Sequence, residues 1–196
     1  MGREFELKFA ATAEKQAEIE ADFSGWHTIT MSTTYYDTPK GALSAGHITL
    51  RRRLENGKSV CTLKTPTGGI GRGEWELECD SIEEALPELC KLSGWDLRPL
   101  LPQGLVAVCA ARFVRKACTV ALPQCTVEIA LDCGKLLGGG TEIPLTEVEF
   151  EKKSGTDEAV AAYAAALAKK YSLSPEHRSK FRRALALARG ENNGAF

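Results

Sequence analysis

Apolar and polar side chains alternate along much of this chain with a period of two residues. In residues 4–9, EFELKF, every charged residue is followed by an apolar one. Neighbouring residues of a β-strand point to opposite faces, so this spacing predicts a strand with one charged and one apolar face. Similar alternation recurs in five later segments, which are 47–54, 59–65, 73–79, 127–133 and 146–152. The pattern therefore predicts a sheet whose strands share one charged face.

A further strand is predicted at 111–122, ARFVRKACTVAL, with Phe113 and Arg115 on its opposite sides. Clusters rich in glycine, proline and asparagine are typical of turns, and they separate the predicted strands. They are DTPKG (37–41), ENGK (55–58), TPTGGIGRG (65–73) and LLGGGTEIP (136–144).

Four helices are predicted between or after the strands. Thr12 is a suitable N-cap for a helix that ends near Phe23, and a second helix is expected from Ser81 to Leu92. A third helix follows Thr156 and places acidic residues in its first turn, where the helix dipole favours them. The fourth is predicted to begin at 174, with a proline in its first position.

The charges on the predicted strands are sorted by sign. Arg51 and Arg53 form a basic row, whereas the alternate positions of 74–78 and 147–151 are all glutamate. Charges of one sign repel, and glutamate is a poor strand former, so a merely solvated face would more often carry threonine and mixed charges. We therefore interpret the charged faces as pointing together around a polar channel, with helices over the apolar faces. Arg52 faces away in a regular strand and is expected at the surface.

Length and composition are those of a folded domain. The 196 residues include 43% hydrophobic and 26% charged side chains, which predicts a single domain at 1–190 and a frayed tail at 191–196. A net charge of -1 produces no general attraction to nucleic acid or to membranes, and neither is expected as a partner. We expect a cytoplasmic protein, because the chain has neither a long apolar run nor a signal-peptide pattern.

Cysteine and histidine suggest no catalytic or zinc site. The seven cysteines lack the two-residue gap of a zinc or redox motif, and we interpret them as reduced. No two of the three histidines lie within one helical turn, which excludes a zinc-protease helix.

Acidic and basic side chains in one channel have a specific chemical use. Arginine and lysine neutralise phosphate oxygens directly, whereas carboxylates bind Mg²⁺ or Mn²⁺, which in turn bridge to phosphate. A channel that carries both therefore indicates a site for a metal–polyphosphate complex.

The charged motifs resemble those of the CYTH family, also called triphosphate tunnel metalloenzymes. The resemblance rests on motifs in a fixed order from Glu4 to about Leu187, which are EFELK, YYDTP, LRRR, TLK, RGEWE, EIALDCG, EVEFE and the late SK. It implies an α+β fold, an eight-stranded antiparallel β-barrel (a tunnel) with a charged interior and helices packed outside. The segments EIALDCG and LSPEHRSK are most similar to the corresponding segments of bacterial inorganic triphosphatases.

The resemblance also implies roles for individual residues. The expected metal ligands, for Mg²⁺ or Mn²⁺, are Glu4, Glu6, Glu147 and Glu149. The expected substrate contacts are Lys8, Arg51, Arg53, Lys64, Arg72, Arg115 and, near the tunnel mouth, Lys180. Glu4, Glu6, Glu74 and Glu76 are expected to be catalytic by positioning metal or water, with Glu128 and Asp132 as further tunnel lining. Tyr36 and Asp37 could border the entrance.

The implied activity is metal-dependent hydrolysis of inorganic triphosphate to diphosphate and phosphate. Alternatives within the family are a thiamine triphosphatase or a class IV-type adenylate cyclase, which need a pocket for an organic group. Trp26, Trp75 or Trp95 could stack on such a group. A non-enzymatic alternative is a module that binds polyphosphate or nucleotide. The expected partner is therefore a small molecule that carries a polyphosphate, and the oligomeric state stays open.

Overall fold

The computed structural model describes residues 2–67 and 72–191 and has the α+β fold that the sequence predicts. In this part of the chain the strands are β1 (Gly2–Glu4), β2 (Glu6–Ala10), β3 (His27–Asp37), β4 (Thr49–Glu55), β5 (Lys58–Pro66), β6 (Arg72–Glu78), β7 (Val106–Ala121), β8 (Cys125–Gly138), β9 (Thr141–Gly155) and β10 (Ser174–Pro175). The α-helices are α1 (Ala13–Asp22), α2 (Ala42–Ala45), α3 (Ile82–Ser93), α4 (Asp157–Lys170) and α5 (Lys180–Ala188).

All the strands belong to one antiparallel sheet with the order β1-β6-β5-β4-β3-β7-β8-β9-β2-β10. Consecutive pieces of the N-terminal segment lie at opposite ends of this order: β1 is one edge and pairs with β6, whereas β2 pairs with β9 and with the short edge strand β10. Only Phe5 separates these pieces, and its carbonyl accepts a hydrogen bond from the Lys152 amide at 2.9 Å. No hydrogen bonds between the edge strands β1 and β10 close the described sheet, but the N-terminal segment pairs with β6 through β1 and with β9 through β2. Counted as one strand, it brings the long strands of the described sheet to the eight predicted.

The apolar face of the sheet is covered by three helices. α1 and α4 pack over β2, β8 and β9, where Phe150, Val148 and Ile129 are fully buried. α3 covers β4, β5 and β6 and buries Leu50 and Leu63 against the helix. Burial of this apolar surface stabilises the fold by about 25 cal/mol per Å². The predicted alternation therefore separates the sheet into an apolar outer face and a charged inner one.

α5 differs from these helices because it packs against the inner face at one end of the sheet. Its residues Phe181, Ala184 and Leu185 contact inward-pointing residues of β3, β7 and β8, among them Tyr35 and Phe113. The rings of Phe181 and Tyr35 lie 5.1 Å apart. The inner face is therefore apolar where α5 covers it and charged elsewhere. The sequence pattern did not predict an internal helix.

The predicted helix boundaries are confirmed for three helices and wrong for the fourth. Thr12, Ser81 and Thr156 each cap a helix with a side-chain oxygen. The fourth helix does not begin at 174, because residues 174–175 form β10 against the end of β2. Proline is tolerated there since an edge strand needs no second ladder hydrogen bond. The helix begins instead at α5, capped by Ser179.

Two further expectations concern chain organisation. The single domain at 1–190 stays a prediction, and of the predicted tail only Glu191 lies within the described residues. In the described part of the chain, no helix combines the length and the apolar character needed to cross a membrane.

Close packing of α5 on β8 depends on Gly138. A Cβ atom at this position would lie 2.4 Å from the Ala184 carbonyl oxygen and 2.6 Å from the Ala188 nitrogen. Both are backbone atoms, so Gly138→Ala has to displace the helix, and we expect a loss of about 1–3 kcal/mol in the free energy of unfolding. Urea denaturation measures the change.

The matched control is Gly46→Ala. Gly46 has a φ of -83°, and the nearest atoms to an added Cβ lie at 3.5 Å, so we expect a change within about 0.5 kcal/mol. Equal destabilisation by the two substitutions would contradict the proposed role of Gly138.

Candidate active site

The inner face surrounds a polar cavity of about 310 Å³, which we call the tunnel cavity. Side chains of β1 to β9 and of the start of α5 line it. Eight are carboxylates and eight are lysine or arginine: Glu4, Glu6, Glu55, Glu74, Glu76, Glu128, Glu149, Glu151, Lys8, Arg51, Arg53, Lys64, Arg72, Arg115, Lys153 and Lys180. Convergence of nine strand segments on one cavity means that the sheet curls around it. The charged faces point together, as the sequence predicted.

Strand register decides which charges meet. Lys8 of β2 lies opposite Glu149 of β9, and Arg115 of β7 lies opposite Asp132 of β8. Lys64 of β5 lies opposite Glu74 of β6. Directly opposed residues are close enough for their side chains to interact, so antiparallel pairing turns rows of one sign into pairs of opposite sign.

Arg51 and Arg53 form the basic part of the wall. One Arg51 nitrogen lies 3.4 Å from Glu74 and 3.6 Å from Glu76, and Arg53 lies 3.7 Å from Glu76 and pairs with Glu55. Both Nε atoms are buried and have no hydrogen-bond acceptor among the described residues. An unsatisfied buried donor costs about 1–3 kcal/mol, so both guanidinium groups suit an anionic ligand.

Two lysines hold the N-terminal glutamates in the wall. The Lys64 ammonium donates to Glu4 at 2.5 Å and lies 3.1 Å from Glu74, while Lys8 donates to Glu6 at 2.7 Å. Burial alone would lower the pKa of Lys8, but Glu6 and Glu149 raise it above its ordinary value. Both lysines are thus held by carboxylates of the cavity wall.

An acidic cluster lies where β8 and β9 meet α5. Oxygen atoms of Asp132, Glu147 and Glu149 all lie within 4.8 Å of one another, and all three residues are buried. The Lys180 ammonium lies 2.6 Å from Asp132 and 2.8 Å from Glu149, and it also contacts Glu147. Arg183 pairs with Glu147. The cluster is thus held together by cations from the terminal helix.

Arg115 connects the cluster to the cavity. Its guanidinium donates twice to Asp132 at 2.8 Å and also contacts Glu149. Charge-assisted forked contacts of this kind fix the geometry of both partners.

The pKa values within the cluster follow from these contacts. Burial raises the pKa of Glu147 in spite of Lys180 and Arg183. Burial would also raise the pKa of Glu149, but Lys180, Arg115 and Lys8 hold it well below its ordinary value. Glu149 is therefore ionised at neutral pH. Its stabilising contribution is present above the unfolded pKa of about 4.3 and is lost as the pH falls towards the folded value.

The acidic cluster offers ligands that suit a divalent cation. Carboxylate oxygens are the donors that Mg²⁺ and Mn²⁺ prefer. Asp132, Glu147 and Glu149 would hold such an ion, in competition with the Lys180 ammonium. Two of the predicted ligands, Glu147 and Glu149, belong to this group. Glu4 and Glu6 line the same cavity but are engaged by lysines.

Several predicted site residues lie where the sequence placed them. The tunnel cavity is lined by all the predicted substrate contacts, and also by Glu4, Glu6, Glu74, Glu76, Glu128 and Glu149. Asp132 and Glu147 lie behind this wall, within the buried cluster. The Lys180 ammonium, expected as a substrate contact near the tunnel mouth, is surrounded by three carboxylates.

Other predicted positions need correction. Phe113 and Arg115 both line the cavity, since residues two apart in a strand share a face. Asp37 does not border the entrance, because it is buried and accepts hydrogen bonds from the amides of Leu43 and Ser44 at the start of α2. Tyr36 packs with the apolar cluster under α3.

None of the three tryptophans lines the tunnel cavity. Trp26 donates to the carbonyls of Glu20 and Phe23, and Trp75 packs against the α3 cluster. Trp95 is 37% exposed on a separate surface. None of them is therefore placed to stack on an organic group in the cavity.

The sequence analysis missed some charged side chains of the site that the pattern contained. Arg183 lies three residues after Lys180 on the same face of α5, a spacing that brings both to one target. Lys153 lies 2.9 Å from Glu151 and 3.3 Å from Glu128. It stands two residues after Glu151 and therefore shares the strand face of the acidic row in β9. Glu55 likewise lies two residues after Arg53, on the same face of β4, and pairs with it.

Comparison with known proteins agrees with the motif resemblance. A model of the CYTH domain matches residues 2–185. The inorganic triphosphatase of Haemophilus influenzae is 31% identical over 165 residues, which cover 79% of this chain and 46% of that protein. The chain therefore spans about half the length of this relative.

Solved structures share the fold at lower sequence identity. The PH1819 protein of Pyrococcus horikoshii matches with a TM-score of 0.66 and 23% identity, over 94% of this chain and 99% of that chain. A putative adenylyl cyclase from Hippeastrum, described as having a dominant triphosphatase activity, matches with a TM-score of 0.65 and 19% identity, over 96% of each chain.

Removal of the Lys180 ammonium leaves the acidic cluster undercompensated. We expect Lys180→Met to lower the free energy of unfolding by about 3–5 kcal/mol, because three buried carboxylates lose their shared partner. Chemical denaturation in metal-free buffer measures the loss.

Lys135→Met is the matched control, since Lys135 pairs with Glu142 at 2.7 Å on the exposed surface. An exposed pair contributes about 0–1 kcal/mol, so this variant should remain near the wild type. A Lys180→Met protein as stable as the control would show that the cluster does not depend on the lysine.

Proposed function

The chain belongs to the CYTH domain family, and we propose that it hydrolyses inorganic triphosphate to diphosphate and phosphate in the tunnel cavity, with Mg²⁺ or Mn²⁺. The observation that carries this proposal is the convergence of Lys8, Arg51, Arg53, Lys64 and Arg115, from four strands, on one cavity. A compact anion with several charges is the ligand that such a set of fixed cations suits. The named relative, an inorganic triphosphatase, supports the same substrate.

Charge balance in the cavity supports a requirement for metal. The lining carries eight carboxylates and eight lysine or arginine side chains, so it has no excess positive charge when all are ionised. A polyanion in this cavity would leave negative charge uncompensated in a poorly solvated site, which is costly. Bound divalent cations would supply the missing charge, polarise the phosphoryl oxygens and lower the pKa of the attacking water.

The side chains of the chain itself would divide the remaining work. Arg51 and Arg53 would donate to the phosphoryl oxygens, since their Nε atoms have no described acceptor. Lys8, Lys64 and Arg115 would hold the rest of the ligand in line, which is the main protein contribution in phosphoryl transfer. Glu74 and Glu76, which lie beside Arg51, would orient the attacking water and accept its proton as the phosphoanhydride bond breaks.

The size of the cavity favours an inorganic substrate. A volume of about 310 Å³ is at the lower end of the range for small-molecule sites, roughly 300–1,000 Å³. The tryptophans that could stack on a thiamine or adenine ring lie elsewhere, and Phe113 of the lining is engaged by the Lys180 ammonium at 5.1 Å. These features favour triphosphate over thiamine triphosphate or ATP.

Phosphate release from a panel of substrates tests the proposal. We expect the highest kcat/KM with inorganic triphosphate, lower values with ATP and thiamine triphosphate, and no turnover in a chelator. Glu76→Gln, which removes one of the carboxylates assigned to the attacking water, should lower the metal-dependent rate by at least about a hundredfold, the scale of general-base catalysis. Absence of turnover with triphosphate in both Mg²⁺ and Mn²⁺ would reject the hydrolase and leave the binding module.

Ligand-induced stabilisation tests the convergent arginines separately from catalysis. In a chelator, triphosphate at a hundredfold excess over its Kd should stabilise the wild type by about 2.7 kcal/mol, seen as a rise in Tm. Arg53→Ala should lose much of this rise, because one anion contact is removed.

The adjacent Arg52→Ala is the control. Arg52 faces outward and donates to Ser59 at 2.9 Å, so its removal should preserve the ligand effect. Equal ligand-induced rises in Tm for Arg53→Ala and Arg52→Ala would contradict the assignment of Arg53.

A further inference from the structure

A second cavity opens from one end of the tunnel cavity, and we call it the mouth groove. It has a volume of about 730 Å³ and lies between the β3–β4 connection, including α2, and the outward side of α5. Four residues line both spaces: Thr49, Arg72, Ser179 and Phe181. The two cavities are therefore continuous, so a ligand too long for the tunnel could extend into the groove.

The mouth groove is strongly basic, in contrast to the balanced tunnel cavity. Among the described residues, five lysine or arginine side chains and one histidine line it, with a single carboxylate: Lys40, Arg72, Arg178, Arg182, Arg189, His47 and Glu191. A concave surface of one sign raises the local concentration of ions of the opposite sign. The groove therefore attracts anions even without bound metal ions.

Some of these cations are free to bind a ligand. The side chains of Lys40 and Arg182 are exposed and form no ion pair or hydrogen bond with any described residue. Arg189 lies 4.0 Å from Glu191 and donates to Ser44 at 3.3 Å, whereas Arg178 is paired with Glu176 at 2.9 Å. The charge of Arg178 is thus compensated by a carboxylate of the protein, whereas the charges of Lys40 and Arg182 are not.

The junction between the two cavities also favours an anion. Arg72 lies at the junction and donates to the His47 carbonyl at 2.5 Å and to Thr49 at 3.2 Å, which fixes its guanidinium there. Ser179 caps α5 at the same place, so the positive end of the helix dipole lies at the junction. A chain of phosphates that leaves the tunnel cavity would therefore meet positive potential at the junction and along the groove.

We propose that the mouth groove is a subsite for the fourth and later phosphates of a linear polyphosphate whose end lies in the tunnel cavity. This inference rests on the proposed function only in that the tunnel holds the first three phosphates. Free cations along the groove match a ligand with one charge per repeating unit. An uncharged nucleoside would leave Lys40 and Arg182 without partners. The chain would thus bind longer polyphosphates more tightly than triphosphate.

Binding measured against chain length tests the subsite. The probes are tripolyphosphate, tetrapolyphosphate and a size-fractionated longer polyphosphate, titrated calorimetrically in a chelator at constant ionic strength. We expect the wild type to bind the longest chain at least about tenfold more tightly than triphosphate, the scale of one charge-assisted contact. The Lys40→Gln/Arg182→Gln double variant should lose this gain and keep its triphosphate affinity within about twofold, because neither residue lines the tunnel cavity.

Lys135→Gln/Lys169→Gln removes the same charge from exposed sites outside both cavities and should preserve the gain. A long polyphosphate can bind in many alternative positions, which raises its apparent affinity. The control variant shows this statistical gain as well, so only the difference between the two variants reports on the groove. Equal wild-type affinity for all chain lengths, or a gain that survives in the groove variant, would overturn the proposal. An ATP affinity that falls in the groove variant while polyphosphate affinity is unchanged would instead assign the groove to a nucleotide.

Failure of this proposal is distinguishable from failure of the proposed function. Triphosphate turnover with Mg²⁺ or Mn²⁺ but no dependence of affinity on chain length would reject the subsite alone. A length-dependent affinity that needs Lys40 and Arg182, with no turnover of any substrate, would reject the hydrolase and retain the subsite.

Discussion

A charge that the sheet turns inward has to meet a charge of opposite sign, because an unpaired ion in a protein interior costs several kcal/mol. The tunnel cavity satisfies this constraint with equal numbers of carboxylates and cations. Its pairs join residues far apart in the chain, such as Lys64 with Glu4 and Lys180 with Glu147. The contacts that pair these charges therefore also hold the curled sheet together around the cavity.

The terminal helix links this electrostatic network to the apolar core. Phe181 and Ala184 of α5 pack against the inner face, and Gly138 allows the helix backbone to approach β8 closely. This packing carries Lys180 and Arg183 into the acidic cluster. Apolar burial thus compensates for the cost of burying the charges, and the acidic cluster depends on a helix distant in sequence.

Charge distribution separates two ways of binding an anion. In the tunnel cavity the cations are balanced by carboxylates, so divalent cations would add to the arginine donors in compensating the charge of a polyanion. In the mouth groove the lysine and arginine side chains outnumber the single carboxylate, and two of them have no described partner. Metal-assisted chemistry in the tunnel and metal-independent attraction at its mouth are consistent with one continuous path for a phosphate chain.

The alternation of side chains between the two faces of a strand, which we call parity, made much of the site predictable from the sequence. A period of two residues fixes the face of each side chain, which is why Glu4, Lys8, Arg51, Arg53 and Glu149 were placed on the inner face correctly. Local capping chemistry likewise placed the starts of α1, α3 and α4, since a threonine or serine side chain needs only neighbouring amides.

The sequence by itself determined which charges point inward, and only the tertiary structure decided which of them meet. Parity carries no information about strand register or about the docking of a distant helix. It therefore could not show that Lys180 occupies the acidic cluster, that Arg183 joins it, or that α5 lies inside the sheet. Those contacts arise from apolar packing of α5 against β3, β7 and β8, a long-range interaction that no local pattern encodes.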